Sequence, residues 1–401
     1  MTVTSARIAR QKLMAAAAAT LVTFGIVLYW LNTSPAVCLS RARQEIASIF
    51  ETASFSARKK HAEECLRLAG SITSIDGQIG ATAALFAACV APVAEPQSTG
   101  PALPDPAIVE TLPTEDLLLA ARLLFSTQRF RSADQLIGLL LSRHDEEREA
   151  VLRLAATIRF DIGRDDDVLR HCDELLSLVP GDSQTYVVKA MVYRNRGEWE
   201  HFVDSMEAAG IRTLSPELTL QLAEGYVQLG RTADARRLFD MIQAARPELV
   251  EQAPVIYARL LTQEGRNSDA EKVLNRYLLA APEDSEALIL LGKLKLATGQ
   301  PEEAVQVLTR AVTSSPSEEL AHYQLGLALM QTGKDESARE HMAEHRRILD
   351  AKVQIHELER LAANQPQNVS VRRLLSQSYA ELGNFELAEF WIRAADAASR
   401  Q

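Results

Sequence analysis

Apolar positions along this chain follow two regimes. The first is one unbroken stretch, Leu13 to Leu31 (LMAAAAATLVTFGIVLYWL), nineteen residues without a charge. At ~1.5 Å per residue a helix of that length spans about 28 Å, close to the hydrocarbon thickness of a bilayer. Tyr29 and Trp30 stand at its far end, where amphipathic rings favour the interface, and Arg7, Arg10 and Lys12 precede it in an acid-free tail, residues 1–12. The expectation is a single transmembrane anchor over residues 13–31, or an uncleaved signal. A cleaved signal peptide is the competing reading, because Ser34 and Ala36 are small residues where a peptidase can cut, although its apolar core is usually only ~7–15 residues long. Three basic residues before the run, against Arg41 and Arg43 soon after it, place the rest of the chain outside the cytoplasm, in the periplasm if the cell is bacterial.

The second regime begins after a helical segment at 32–91 and a proline-rich linker at 92–113, which holds six of the fifteen prolines and is expected to form an extended spacer. From there glycines recur at Gly163, Gly197, Gly230, Gly265, Gly299 and Gly333, with spacings of 34, 33, 35, 34 and 34. Apolar residues keep step with them. Seven residues before each glycine stands a small one (Ala156, Ala190, Ala223, Ala258, Gly292, Gly326), and nine after it a larger one (Cys172, Met206, Phe239, Leu274, Leu308, Met342). Alanine lies five after at Ala235, Ala270, Ala304 and Ala338, and proline seventeen after at Pro180, Pro247, Pro282 and Pro316. Small residues let two antiparallel helices approach, the bulky one fills the gap, glycine permits the turn and proline stops the second helix. One such pair cannot bury its apolar face alone; a stack can.

This pattern resembles the tetratricopeptide repeat family. Gly230 with Tyr226, Ala235, Phe239 and Pro247 matches its consensus, as does Leu291-Gly292 with Gly299, Ala304, Leu308, Ala311 and Pro316. The expected fold is all-α: an α-solenoid of tetratricopeptide helix-turn-helix repeats over residues 114–401, preceded by the transmembrane helix. Repeats are placed at about 114–147, 149–182, 183–216, 216–249, 251–284, 285–318, 319–352 and 369–401. The first three depart from the pattern: Val168 and Phe202 replace the second-helix alanine, and the unit at 114–147 keeps Ala121 and Ala133 but lacks the glycine and the proline. A degenerate unit is also considered at 39–72.

One interval breaks the period. Gly383 follows Gly333 by fifty residues, one period plus sixteen, and residues 336 to 363 contain neither Gly nor Pro. This predicts an elongated helix near 336–363 on which Ile348, Ala351, Ile355, Leu358 and Ala362 share one side. That stripe either covers the last repeat or pairs with a partner or a second copy through 348–362.

Composition narrows the function. Fifty-three acidic against 43 basic residues give a net charge of −10, which argues against a nucleic-acid surface. Phosphate loops, nucleophile elbows and C-x-x-C pairs are missing, so neither an enzyme nor a cofactor is expected. His341-Met342-Ala343-Glu344-His345 spells H-x-x-E-H, the inverzincin zinc motif, and makes a metallopeptidase a remote alternative. Four dispersed cysteines form no scaffold, although Cys65 and Cys89 could pair if the chain is exported. Asp165, Asp166 and Asp167 are expected to cap a helix start rather than hold calcium.

The expected function is therefore a membrane-anchored scaffold or adaptor for an envelope complex, with a chaperone-like binder of exported proteins as the alternative. The resemblance implies that first helices line a concave groove for a protein or peptide ligand. Projected onto this chain, the groove residues include Met191, Arg194, Asn195, Gln228, Arg259 and Gln263. The series continues with Lys293, Tyr323, Met330, Gln331 and Gln377, amides suiting backbone contacts and apolar side chains serving as anchors.

Overall fold

A computed structural model describes residues 34–73, 77–94, 103–143, 147–365 and 368–399. The apolar run at 13–31 and Pro366 lie outside the described residues, and no described helix is long and apolar enough to cross a membrane. Among the described residues there are helices and no strands. The chain divides into two compact units, Met1–Gly210 and Ile211–Gln401.

The first unit contains α1 (Pro35–Glu51), α2 (Phe55–Gly70), α3 (Gln78–Ala94), a single turn α4 (Pro106–Val109), α5 (Thr114–Ser126), α6 (Phe130–Leu141), α7 (Arg148–Asp161), α8 (Asp165–Leu178), α9 (Ser183–Asn195) and α10 (Trp199–Ala209). Residues on both sides of the proline-rich stretch share one core, in which Ile46, Cys65, Phe86 and Cys89 pack with Leu117, Leu124 and Ile137. The prolines thus join parts of one body. Pro92 itself lies inside α3, a helix whose own residues are almost wholly apolar and mostly buried. Cys65 and Cys89 are buried free thiols, not a disulfide, and burial pushes both up to about 12.

Two polar links cross this core. Asp116 is fully buried, and Arg43 donates to both its oxygens, Nε to Oδ1 at 2.6 Å and Nη2 to Oδ2 at 2.7 Å. Arg129 Nη1 donates to the Ala88 carbonyl at 2.9 Å. In the first repeat Gln128 takes the left-handed turn, φ 60°, where later repeats use glycine.

A charged network joins α6, α7 and α8. Arg159, nearly buried, pairs with Asp134 and Asp167, while Asp165 and Asp166 bind Arg196, so the acidic run is neutralised by arginines. Arg159 Nη1 also donates to His171 Nε2 at 2.7 Å, a bond that requires a neutral imidazole. Burial, then the Arg159 charge, pushes His171 down to about 4 from 6.5. The unfolded chain therefore binds a proton that the folded chain refuses between those values. Stability from this site is full above pH 6.5, falls as pH drops towards 4, and is flat below. Between pH 7 and 5 the loss should reach about 2 kcal/mol, and His171→Gln should remove most of that slope in urea titrations. An unchanged slope would disprove the assignment.

The second unit contains a 3-10 turn (Ile211–Thr213), then α11 (Pro216–Gln228), α12 (Thr232–Ala245), a short α13 (Pro247–Gln252), α14 (Pro254–Gln263), α15 (Asn267–Ala280), α16 (Ser285–Ala297), α17 (Pro301–Ser314), α18 (Glu319–Gln331), α19 (Asp335–Asn364), α20 (Val369–Glu381) and α21 (Phe385–Ser399). Three of the first helices, α11, α16 and α20, start on side-chain caps: Ser215, Asp284 and Asn368 accept from the backbone N–H three residues on. Turns into second helices use left-handed glycine, φ 69° at Gly230 and 72° at Gly299. A Cβ at Gly292 would stand 2.4 Å from Leu308 Cγ, so α16 and α17 touch where the chain has no side chain.

The 30-residue α19 serves two pairs. Its start packs Ala338 with Leu308 and Leu325. Its far half packs Ile355, Leu358 and Ala362 against Val371 and Leu375, with Trp391 alongside. Of the two readings of the stripe, its far part follows the first, covering the last repeat: sixteen extra residues extend the helix, and the last pair packs on Ile355, Leu358 and Ala362.

Candidate partner-binding groove

First helices of the second unit present one face to a cavity of about 790 Å³. Val227 and Gln228 come from α11, Arg259, Thr262 and Gln263 from α14, Ser285, Glu286, Ile289, Leu290 and Lys293 from α16, and Leu320 from α18. The repeat explains the convergence. Residues on the opposite side of each first helix, such as Ala258 and Leu291, are used for packing, which leaves the cavity side to these residues: Gln228, Gln263, Glu286 and Lys293 are exposed, while Val227, Ile289 and Leu290 are buried beneath them.

Four residues expected in the groove from sequence, Gln228, Arg259, Gln263 and Lys293, meet here. Three of them also tie neighbouring repeats together. Arg259 donates to Glu286 Oε1 at 2.7 Å and to Gln228 Oε1 at 3.2 Å, and Gln263 Nε2 donates to the Val227 carbonyl at 2.7 Å. Lys293 is exposed and has no ion-pair partner among the described residues. Ser285 Oγ, in the cavity wall, is buried without a hydrogen-bond partner among the described residues.

Other expected groove residues stand apart from this cavity. Tyr323, Met330 and Gln331 are exposed on α18, with the Tyr323 ring 5.2 Å from that of His345. Gln377, on α20, donates to Glu381 within its own helix at 2.9 Å. Met191, Arg194 and Asn195 lie on α9 of the first unit, the first two half-buried and the third exposed. Glu286, Ile289 and Leu290 belong to the cavity but were not among the expected residues; their positions two, five and six residues into α16 carry the same outward phase as Lys293, a signal available in the repeat register.

The H-x-x-E-H residues are committed elsewhere. His322 Nε2 faces the Pro316 carbonyl at 3.1 Å and so carries the proton, and its Nδ1 accepts from His341 Nδ1 at 3.0 Å. His345 Nδ1 donates to the Glu319 carbonyl at 2.9 Å, and Glu344 is held by Arg347 at 2.7 Å. Burial, then the neighbouring His322, lowers the pKa of His341. Among the described residues no group of three or more His, Cys, Asp or Glu is arranged to hold a metal ion. The histidines of the motif thus tie α19 to α18.

Family models described as tetratricopeptide repeat match residues 216–241, 257–319 and 289–351. The helix pairs over these residues, which build the groove, are tetratricopeptide repeats. Among solved structures, a tetratricopeptide repeat protein from Parabacteroides merdae is 18% identical, with a TM-score of 0.49 over 59% of this chain and 93% of that one. MamA from Desulfovibrio magneticus RS-1 is 23% identical, with a TM-score of 0.35 over 42% of this chain and 96% of that one. No curated protein sequence matches the chain.

Proposed function

We propose that this chain is a membrane-held scaffold that binds an extended segment of a partner protein in the groove of its second unit. The cavity of about 790 Å³ carries the reading: it combines an apolar floor, Ile289, Leu290 and Leu320, with Lys293 and the Ser285 hydroxyl, neither of which has a partner among the described residues. Apolar side chains of a peptide gain by leaving water there, while Ser285 and Lys293 recognise its backbone carbonyls or an acidic side chain. The uncharged run at 13–31 supports attachment to a membrane, and the basic residues before it support an array outside the cytoplasm.

A photo-crosslinking residue at position 293, in membranes carrying the full chain, should capture a discrete partner that the same residue at the exposed position 306 does not. Lys293→Glu combined with Leu320→Glu should weaken binding of that partner by roughly tenfold or more. Carbonate-washed membranes should retain the chain and lose it when residues 1–33 are removed. Equal capture at 293 and 306 would refute the groove; release of the full chain by carbonate would refute the anchor.

A further inference from the structure

The outer face of the last second helix differs chemically from all its predecessors. Four and seven residues after the turn position, every preceding second helix from α6 onward is polar, as with Glu303 and Gln306 in α17 or Ser337 and Glu340 in α19. In α21 these positions are Leu387 and Phe390, 39% and 58% exposed. Ala394 and Ala398 continue the same stripe at helical spacing. The buried residues of α21, Ala388 and Ala395, lie about a quarter turn round the helix from it, so the stripe borders the packed side and is additional to the residues that the fold buries. A solvated helix face with two large apolar residues where seven repeats are polar marks an interaction surface.

We propose that this face pairs with the same face of a second copy of the chain, the two α21 helices running antiparallel about Phe390. That register sets each Phe390 against its counterpart and each Leu387 against the other copy's Ala394, a bulky side chain on a small one. It also places Arg393 of each copy between Glu386 and Glu389 of the other, all three lying on one flank of the stripe. Among the described residues of one chain Arg393 pairs only with Glu389, and that pair is exposed. An isologous contact makes every such interaction twice, and packing that excludes water strengthens the exchanged pair relative to the exposed one.

The full chain, in mild detergent because of residues 13–31, should sediment as a dimer that dissociates on dilution. Leu387→Glu with Phe390→Glu should abolish dimerisation and leave helical content unchanged. Arg393→Glu should raise the dissociation constant by roughly tenfold, and adding Glu386→Arg and Glu389→Arg should restore it to within about threefold. Restoration by reversed charges cannot arise from a folding defect. A monomer at every concentration, or a dimer indifferent to both the charge reversal and its compensation, would overturn the proposal.

Discussion

Arg43→Ala should be among the most destabilising single substitutions in the first unit, costing about 3–5 kcal/mol in urea unfolding, because it strands a fully buried carboxylate at Asp116. Asp116→Ala should cost less, about 1–3 kcal/mol, since the arginine left behind is 37% exposed and can turn to water. The asymmetry is the test. Equal costs from either end would mean that the pair acts as an ordinary surface bridge. Replacing both, Arg43→Met with Asp116→Leu, should recover most of the loss, because it removes the buried charge together with its partner.

Gly292→Val should cost about 3 kcal/mol in the second unit, since even a Cβ there would meet Leu308 Cγ at 2.4 Å and Cδ2 at 2.5 Å. Leu308→Ala alone should cost a similar ~3 kcal/mol by opening a cavity in a fully buried position. Together the two should fall short of additivity by about 1–3 kcal/mol, the new methyl groups occupying the vacated space. Strict additivity would show that α16 and α17 do not meet at this point.

The repeat architecture was legible because its determinants are local and periodic. Glycine at the turn, alanine at the helix contact and a bulky residue nine positions on recur at one spacing, and each answers a constraint set within about 34 residues. The long helix was legible for the same reason, as an interval free of Gly and Pro. Contacts that span the chain left no such trace. Arg43 and Asp116 are 73 residues apart, on either side of a proline-rich stretch that suggested separation, and nothing in their neighbourhoods links them. The break at Gly210 falls inside an unbroken run of repeats, and Pro247, before which α12 stops as expected, also opens the short α13.

The groove was half legible. Phase along the first helices identified Gln228, Arg259, Gln263 and Lys293, but not that three of the four would be spent on neighbouring repeats. Polar residues at outward positions serve both neighbours and ligands, and composition does not separate the two uses. The stripe at 348–362 had two candidate partners on sequence grounds, and Val371, Leu375 and Trp391 of the chain itself take it.

The long α19 has a further consequence for how stability is distributed. In an ordinary repeat array, neighbours are joined by a loop that can slacken while each keeps its own structure. Here one uninterrupted helix is both the second half of one pair and the floor of the next. Losing α20 and α21 exposes Ile355 and Leu358 and leaves about four turns of α19 without tertiary support, a length that is marginal in water. The last pair and the far half of α19 should therefore open as one cooperative segment, their amides exchanging with a common free energy while those near Ala338 remain protected with the preceding repeats.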